Sequence, residues 1–415
     1  MTTTQINLFI GINKIKAAGE SVKMNIKLKV NRKRLMNWLI LIPFLYPKGF
    51  AEYSSAYKRF FTLWLYMAVL CILVISTDKA IKGRLKINKR CKEVLLYYAA
   101  MIVMTFLIRM SFLDGLQKMF AAPMLAVFMY VELKTNPVDF IKSVNGVLMC
   151  SFILGLTIFN PIFWPSMFDP GNNHLFFWGH VQVGAQLGLL SIIFSYAEYK
   201  LFRKCKKKKF IFSVVLAVCV MLMSATSMSY MIIAVLLIYT LLYEKIQLKW
   251  KGKKYVTLYV VMNVLLFFVI AKLGLALNIG GLSLNGRGFI WEKAIENFLK
   301  SPIWGYGVHG TLIQVFWSKW NGDGSGMNYM HNQLLQVAND GGLILLVLYV
   351  LMIYTVMDSI DRIPNKRIQK RCVGFMLAVL VVMSFESGLE YVYLLMALIL
   401  LGEIKNLIVR RMIPQ

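Results

Sequence analysis

Residues 60–77 read FFTLWLYMAVLCILVIST, an apolar stretch without a single charged side chain. A helix rises about 1.5 Å per residue, so roughly 20 such residues cross the hydrocarbon core of a membrane. Runs of the same kind recur at Phe210–Ser227 and Gly342–Met357. The stretch therefore predicts a membrane helix, and its repetition along the chain predicts a polytopic membrane protein.

The composition supports this class. Of the 415 residues, 58% are hydrophobic, and the mean hydropathy is +0.62. The formal net charge is +28, which in a soluble protein would suggest nucleic-acid binding. Here, however, the basic residues form short clusters between apolar runs, such as KLFRKCKKKK at 200–209. Such clusters are typical of cytoplasmic loops, so nucleic acid is not an expected partner.

We predict an all-α bundle of about twelve transmembrane helices. The predicted spans are 35–47, 59–77, 93–110, 118–133, 143–163, 179–197, 210–227, 229–243, 255–275, 338–357, 372–387 and 390–404. With the N-terminus inside, 37 of the 47 Lys and Arg residues fall on the inner side. This imbalance predicts a plasma-membrane protein with both termini in the cytoplasm.

The spans divide the chain into five segments. They are a basic cytoplasmic N-terminal segment (1–34), spans one to nine (35–275), a large extracytoplasmic loop (276–337), spans ten to twelve (338–405) and a cytoplasmic tail (406–415). We see no cleavable signal peptide. None of the six cysteines falls in an outer loop, so we do not expect a disulfide framework.

The loop 276–337 is far longer than the other outer loops, and long loops in compact proteins are usually functional or disordered. Its aromatic content argues against disorder. The aromatic residues are Phe289, Trp291, Phe298, Trp304, Phe316, Trp317, Trp320 and Tyr329. We therefore expect the loop to be folded and to carry the functional site.

Within the loop, FIWEKAIENFLK (289–300) has helical periodicity, with Asn285 as a candidate cap and Ser301-Pro302 as its end. Trp291 lies on its apolar face. An amphipathic helix outside a membrane lies naturally along the membrane surface. The alternative, that its apolar face seals the helix bundle, is equally compatible with the pattern.

Two further stretches follow this helix. GYGVHG (305–310) has three glycines in six residues, which allow a tight turn or a close approach of the backbone. In MNYMHNQLLQVANDGG (327–342), His331 and Leu335 are spaced to share a helical face, and Gly341-Gly342 is expected to break the helix. From spacing alone, His331 is either a general base or a hydrogen-bonded structural residue.

These residues together resemble the O-antigen ligase and polymerase family. The pattern is Arg287 and Trp291, then Pro302, Gly305 and Gly307, then His331 and Asn332 before a membrane helix that contains glycine. It covers residues 286–342, and the long outer loop after the ninth span also fits the family. Members of this family are bacterial polytopic glycosyltransferases of the GT-C kind.

The resemblance implies a glycan donor on a polyprenyl pyrophosphate at the outer leaflet, with the acceptor hydroxyl attacking the anomeric carbon. Arginine binds phosphate bidentately and stays charged, so Arg287 is the first candidate for stabilising the leaving pyrophosphate. His331 would activate the acceptor hydroxyl. Further candidates for contact with substrate are Arg109, Trp291, Trp304, Tyr306, His309, Asn332 and His180. Packing is the default role of the aromatic residues among them.

The chain departs from the family at the start of the eighth span. The family often has an arginine after a serine there, whereas this chain has Met228 after Ser227. Arg109 or Lys272 would have to replace that cation. Arginines at the ends of spans often only snorkel toward the interface, so the sequence does not decide which residue replaces the absent arginine.

Other polar residues complete the set of candidates. Glu386 and Glu390 lie four apart in the last hairpin, and carboxylates at membrane depth are costly enough to suggest a function. His174 and His180 are candidates for an acceptor groove. No spacing of His, Cys or carboxylates indicates a metal site, so we expect a metal-independent enzyme without a cofactor.

The main interpretation is a polymerase of lipid-linked repeat units for an O-antigen, capsule or exopolysaccharide. The rival within the family is a ligase that transfers the finished glycan to another acceptor. A lipid-linked sugar flippase is the alternative from another class, but we see no repeated halves. Expected partners are the lipid-linked glycan and the bilayer, and candidate protein partners are a chain-length regulator and a flippase.

Overall fold

The computed structural model describes residues 5–9, 27–83, 87–109, 117–169, 174–202, 206–242, 251–273, 287–311, 313 and 328–412. In these ranges almost all regular structure is α-helix, which agrees with the predicted class. Several residues singled out from the sequence lie outside the described ranges. They are the candidate cap Asn285, the loop aromatics Phe316, Trp317 and Trp320, and Cys205.

The described residues form thirteen α-helices. Their bounds are α1 (Arg32–Leu45), α2 (Ser55–Ile81), α3 (Lys89–Arg109), α4 (Ala122–Thr135), α5 (Pro137–Leu156), α6 (Val181–Phe202), α7 (Lys207–Ser224), α8 (Ser227–Leu241), α9 (Gly252–Leu273), α10 (Arg287–Lys300), α11 (Gln333–Asp361), α12 (Lys366–Phe385) and α13 (Val392–Met412). The N-terminal segment adds an antiparallel hairpin of β1 (Gln5–Phe9) and β2 (Lys27–Asn31), and β3 (Leu175–Phe176) pairs with β4 (Gly179–His180).

Seven of the described helices are long and apolar enough to cross a membrane: α2, α3, α5, α9, α11, α12 and α13. This supports a polytopic helical membrane protein, but the predicted count of twelve spans is not confirmed. Helices α1 and α4 have 14 residues each, fewer than the roughly 20 that a perpendicular span requires. The two predicted hairpins are present as α7–α8 and α12–α13.

The centre and the periphery of the bundle differ in burial. Helix α13 packs against α4, α6 and α11, and 78% of its most apolar window is buried. Only 17% of the corresponding window of α2 is buried. Side chains of α2 such as Val74 and Ile81 are exposed. Helix α13 is therefore a central helix, whereas α2 presents an apolar face at the edge of the bundle.

Helix α10 packs against the bundle as a cover. Its residues Ile290, Trp291 and Ala294 form a second apolar core with Met330 and Leu335, next to α9 and α11. Of the two interpretations of this amphipathic helix, the sealing of the bundle accounts for its apolar face. The helix begins at Arg287 and ends at Lys300, just before the predicted end at Ser301-Pro302.

Helix α11 is broken at Gly341 and Gly342, as the sequence predicts. Gly342 has φ 59° and ψ −155°, outside the helical region. The loop after α10 bonds to this break: the Tyr306 amide donates to the Asn339 carbonyl (2.8 Å) and the Gly307 amide to the Asp340 carbonyl (2.9 Å). The GYGVHG segment is thus bonded to α11 directly before the break.

We expect Gly305→Ala to lower the melting temperature of the purified protein. Gly305 has φ +67°, and an added Cβ would lie 2.6 Å from the carbonyl oxygen of Asn339 and from the amide nitrogen of Gly341. The left-handed conformation alone costs an alanine about 1–2 kcal/mol, before the clash is counted. The matched control is Gly288→Ala in α10, where a Cβ meets nothing within 4 Å. Equal melting temperatures for the two variants would contradict this role of Gly305.

Candidate active site

The carboxylate of Glu386 is the centre of a buried polar cluster. Glu386 follows directly after α12, and its side chain is 0% exposed. Arg287 donates from Nη2 to Oε1 at 2.6 Å. Tyr329 donates its hydroxyl to Oε2 at 3.0 Å, and Nδ1 of His331 lies 3.1 Å from the same oxygen. The structure therefore brings together the two predicted catalytic residues, which are 44 positions apart in the sequence.

The cluster determines the tautomer of His331. An ionised carboxylate only accepts hydrogen bonds, and Arg287 and Tyr329 are both donors to Glu386. Nδ1 of His331 therefore carries its proton toward the carboxylate. In the neutral imidazole this leaves Nε2 with a lone pair, which is the form that a general base requires.

Arg287 and His331 remain partly accessible although their carboxylate partner is not. Their side chains are 19% and 15% exposed. A guanidinium has five N–H donors, so an ion pair with Glu386 leaves others for a second anion. The arrangement presents a cation and a base to an approaching ligand and keeps the orienting carboxylate out of solvent.

Trp291 connects the two segments that carry Arg287 and His331. It lies one turn after Arg287 in α10, is 0% exposed, and donates its indole N–H to the Met330 carbonyl at 2.9 Å. This bond joins the helix that carries Arg287 to the residue before His331. Because Trp291 is buried, its ring cannot stack on a sugar, and its role is to hold Arg287 and His331 in position.

The backbone at His331 differs from the prediction. We expected His331 and Leu335 to share one helical face, but α11 begins at Gln333 and His331 has φ 49°. Left-handed backbone is uncommon for residues other than glycine and often occurs at functional sites. The next residue, Asn332, is the helix cap: its Oδ1 accepts from the Leu335 amide at 3.1 Å.

The Asn332 side chain is buried and forms its hydrogen bonds within the protein. It is 0% exposed, and its Nδ2 donates to Asn263 Oδ1 and to the Ser384 carbonyl, each at 2.8 Å. These bonds join the start of α11 to α9 and α12. Asn332 therefore positions His331 and does not itself face a substrate.

Tyr329 stays a hydrogen-bond donor in the physiological pH range. Burial raises its pKa well above the ordinary value, and the charge of Glu386 raises it further. Its ring also packs edge to face against the His331 imidazole, with 4.7 Å between the ring centres. Tyr329 thus orients both Glu386 and His331, a role that the sequence did not predict.

His180 lies within electrostatic range of the cluster. It ends β4, immediately before α6. The pKa of His180 is lowered, mainly because the surrounding protein desolvates the side chain, which still keeps accessible surface. The nearby histidines His174 and His331 lower the pKa further, and the carboxylate of Glu386 opposes the change by raising it. His174 is adjacent, with 6.1 Å between the ring centres. The two loop histidines are therefore neighbours at the same end of the bundle as His331.

A lysine that the sequence did not single out lies next to Glu390 and Tyr391, which belong to the segment that follows Glu386. Lys48 follows α1, and its Nζ is 4.9 Å from the ring centre of Tyr391. Burial lowers the pKa of Lys48 to about 8, and the Glu390 carboxylate opposes this change. Lys48, Glu390 and Tyr391 line a cavity of about 80 Å³. The backbone of Lys48 also contacts the loop before His180, since its amide donates to the Trp178 carbonyl at 3.4 Å.

The remaining predicted residues have varied surroundings. The Trp304 side chain is exposed, whereas Tyr306 donates its hydroxyl to the Asn297 carbonyl at 2.9 Å. His309 has φ 55°, and its buried Nδ1 has no hydrogen-bond partner among the described residues. Arg109 ends α3, and its side chain, like that of Lys272 in α9, lies outside the described residues.

A buried methionine occupies the position at which the family often has an arginine. Met228, in the first turn of α8, is 2% exposed. Around it the hydroxyls of Thr226 and Ser229 bond to each other at 2.9 Å, and Ser229 also bonds to Ser224.

In the part of the chain that the structure describes, no group of three or more His, Cys, Asp or Glu side chains is arranged to hold a metal.

The sequence indicated part of this site. Arg287 and His331 followed from the motif, and the depth of Glu386 in the membrane region marked it as a candidate. The link between them was not visible, because Glu386 is 99 residues from Arg287 and 55 from His331. Tyr329 and Lys48 had no signal beyond an aromatic ring in a loop and a lysine near a span.

The fold and the cluster define a polytopic helical membrane protein with a candidate site for anion binding and proton transfer at one end of the bundle. Residues 212–350 match the family model described as O-antigen ligase. The match confirms, over these residues, the resemblance drawn from the sequence. It includes Arg287 and His331, whereas Glu386 lies beyond its end. A comparison with curated proteins gives no match.

Proposed function

We propose that this protein transfers a glycan from a lipid-linked donor to an acceptor hydroxyl, in the manner of an O-antigen ligase. The family match supports glycan transfer and favours the ligase alternative over the polymerase interpretation. The observation that carries the proposal is the buried Glu386 carboxylate, which holds Arg287 and His331 side by side. A cation for a leaving phosphate and a base for an attacking hydroxyl are the two groups that this reaction needs.

Arg287 acts on the leaving group. As the bond between the anomeric carbon and the diphosphate oxygen breaks, the electron pair goes to that oxygen and negative charge accumulates on the lipid diphosphate. A guanidinium that is already oriented by Glu386 stabilises this charge without reorganising, which is typically a large catalytic contribution. Lys48 is the proposed second cation, in place of the arginine that the chain lacks at Met228.

His331 acts on the acceptor. The acceptor oxygen forms the new bond to the anomeric carbon, and its proton passes to Nε2 of His331. Glu386 accepts from Nδ1 and stabilises the imidazolium that results, as an orienting carboxylate does for a histidine base. The atoms balance: one glycosidic bond replaces the bond to phosphate, and the released proton stays on His331 until it reaches solvent.

The predicted orientation places this site at the outer face of the plasma membrane. Lys and Arg predominate in the segments predicted to be cytoplasmic, including both terminal segments. Nucleotide sugars are not found on the outer side, which agrees with a lipid-linked donor. The domain bounds, the cytoplasmic termini and the extracytoplasmic loop 276–337 are part of this proposal.

Reconstitution with a purified lipid-linked glycan tests the proposal and separates the ligase from the polymerase. We expect one glycan to be transferred to an added acceptor, such as a lipid A core, and no product without that acceptor. A ladder of longer glycans formed from the donor alone would instead support a polymerase. Movement of intact donor between leaflets without any new bond would support the flippase alternative and contradict glycan transfer.

A further inference from the structure

A second cavity lies at the opposite end of the bundle from Glu386. Its volume is about 580 Å³, within the usual range of ligand pockets. Helix α13 connects the two regions: it starts just after Glu390 and carries Glu403, Asn406 and Arg410 into the wall of this cavity. A helix of 21 residues is about 30 Å long, so the cavity is separate from the candidate active site.

The lining of this cavity is cationic. It contains four cations and two acids: Lys33, Lys79, Lys134, Arg410, Asp78 and Glu403. Each acid is already paired with a cation that does not line the cavity, Asp78 with Lys82 and Glu403 with Arg90, both at 2.6 Å. The positive charge of the lining is therefore not cancelled by its own carboxylates.

Two of the lining cations bond to neutral oxygens. Lys33 donates to Oδ1 of Asn136 at 3.1 Å, and Arg410 donates to the Lys134 carbonyl at 2.9 Å. Lys79 is 3.4 Å from Glu132. Both Lys33 and Arg410 are exposed, so they retain donors that an anion entering the cavity can use.

Part of the remaining wall is apolar, and part consists of the uncharged polar residues Asn88, Thr135, Asn136 and Asn406. Ile87, Val127, Tyr130 and Val131 belong to the apolar part of the lining. Helix α2, which contributes Asp78 and Lys79, is the least buried of the long apolar helices and has Ile81 82% exposed. The cavity thus combines a cationic rim with an apolar wall next to the bilayer, and this is the lining expected of an anionic-lipid site.

We propose that this cavity binds an anionic phospholipid, with the phosphate among Lys33, Lys134 and Arg410 and the acyl chains along Val127 and Val131. By the predicted orientation the lipid belongs to the cytoplasmic leaflet. The proposal rests on the cavity and its charges and does not depend on the glycan-transfer reaction.

The test measures lipid binding to the purified full-length protein by native mass spectrometry and by thermal shift. Phosphatidylglycerol is compared with phosphatidylcholine of the same acyl chains and with inorganic phosphate. The variant is Lys33→Gln/Arg410→Gln. The matched control is Lys207→Gln/Lys208→Gln, which removes two exposed lysines at the start of α7 outside the cavity.

We expect phosphatidylglycerol to bind more tightly than phosphatidylcholine and inorganic phosphate to give no comparable stabilisation. The cavity variant is expected to lose roughly 10- to 30-fold in affinity for phosphatidylglycerol, and the control to change little. If the cavity variant does not fold, Lys33→Gln/Lys134→Gln takes its place. Equal loss in variant and control, equal binding of the two lipids, or equal stabilisation by phosphate would each overturn the proposal.

Discussion

Replacing Arg287 with alanine is expected to reduce glycan transfer by about 10²–10³-fold, because the developing charge on the diphosphate loses its oriented cation. The rate is measured in a reconstituted single-turnover assay, where donor binding and product release do not limit the signal. Arg287→Lys keeps the charge but not the planar fork that pairs with phosphate and with Glu386. We therefore expect it to fall between alanine and the native residue.

A matched control for the Arg287 prediction lies in the same helix. Lys300 ends α10 and is exposed, so Lys300→Ala removes a cation from α10 without touching the cluster. Its transfer rate is expected to stay within about twofold of the unchanged protein, since isolated surface charges contribute little. Normal transfer by Arg287→Ala at normal expression would show that this arginine has no part in the reaction.

Glu386→Gln is expected to cost nearly as much activity as His331→Ala, about 10²–10⁴-fold. The amide keeps the volume of the side chain but no longer holds the proton on Nδ1 of His331 or stabilises the imidazolium. Because both residues serve one proton transfer, the double variant should be far less impaired than the product of the two single effects, and slower than His331→Ala only by what the loss of the Arg287 partner adds. The assay is the same single-turnover measurement, taken for both single variants and the pair.

The control for Glu386→Gln is Glu296→Gln. Glu296 lies on the exposed face of α10, paired with Lys293 at 2.9 Å, and its loss is expected to leave transfer unchanged. If the effects of Glu386→Gln and His331→Ala multiply in the double variant, the two residues act independently. That result would contradict the assignment of Glu386 as the partner of His331.

The sequence predicted local features well, because local features depend on neighbours in the chain. The apolar runs, the amphipathic helix after Arg287 and the break at Gly341-Gly342 all follow from residue type and period. The bounds of α10 agree with the prediction at its C-terminal end, where Pro302 cannot continue a helix.

Hydropathy alone did not show which helices are buried. Helices α2 and α13 have similar mean hydropathies, 2.2 and 2.0, yet 17% of one window and 78% of the other are buried. Lipid tails and protein cores are both apolar, so composition cannot tell a helix at the edge from one at the centre. For the same reason the sequence did not separate the short helices α1 and α4 from full spans.

The site was predictable only in part for a related reason. Arg287 and His331 belong to one motif, but the carboxylate that joins them follows α12 and is brought close by the packing of α9, α10, α11 and α12. The left-handed backbone at His331 is likewise a product of tertiary structure. Periodicity predicted a helix through His331. Instead, Asn332 caps α11 by accepting from the Leu335 amide, its side chain is held by bonds to α9 and α12, and His331 is left outside the helix.

The most direct test of the account is the single-turnover rate of the double variant Arg287→Ala/Glu386→Gln. The single change Arg287→Ala leaves a buried carboxylate without its cation, which alone can cost about 3–5 kcal/mol of stability. The double variant removes that charge as well, so a loss of rate cannot be ascribed to misfolding when its melting temperature is normal. We predict a normally folded protein that binds lipid in the second cavity and transfers no glycan; transfer at the native rate would contradict the central role of this cluster.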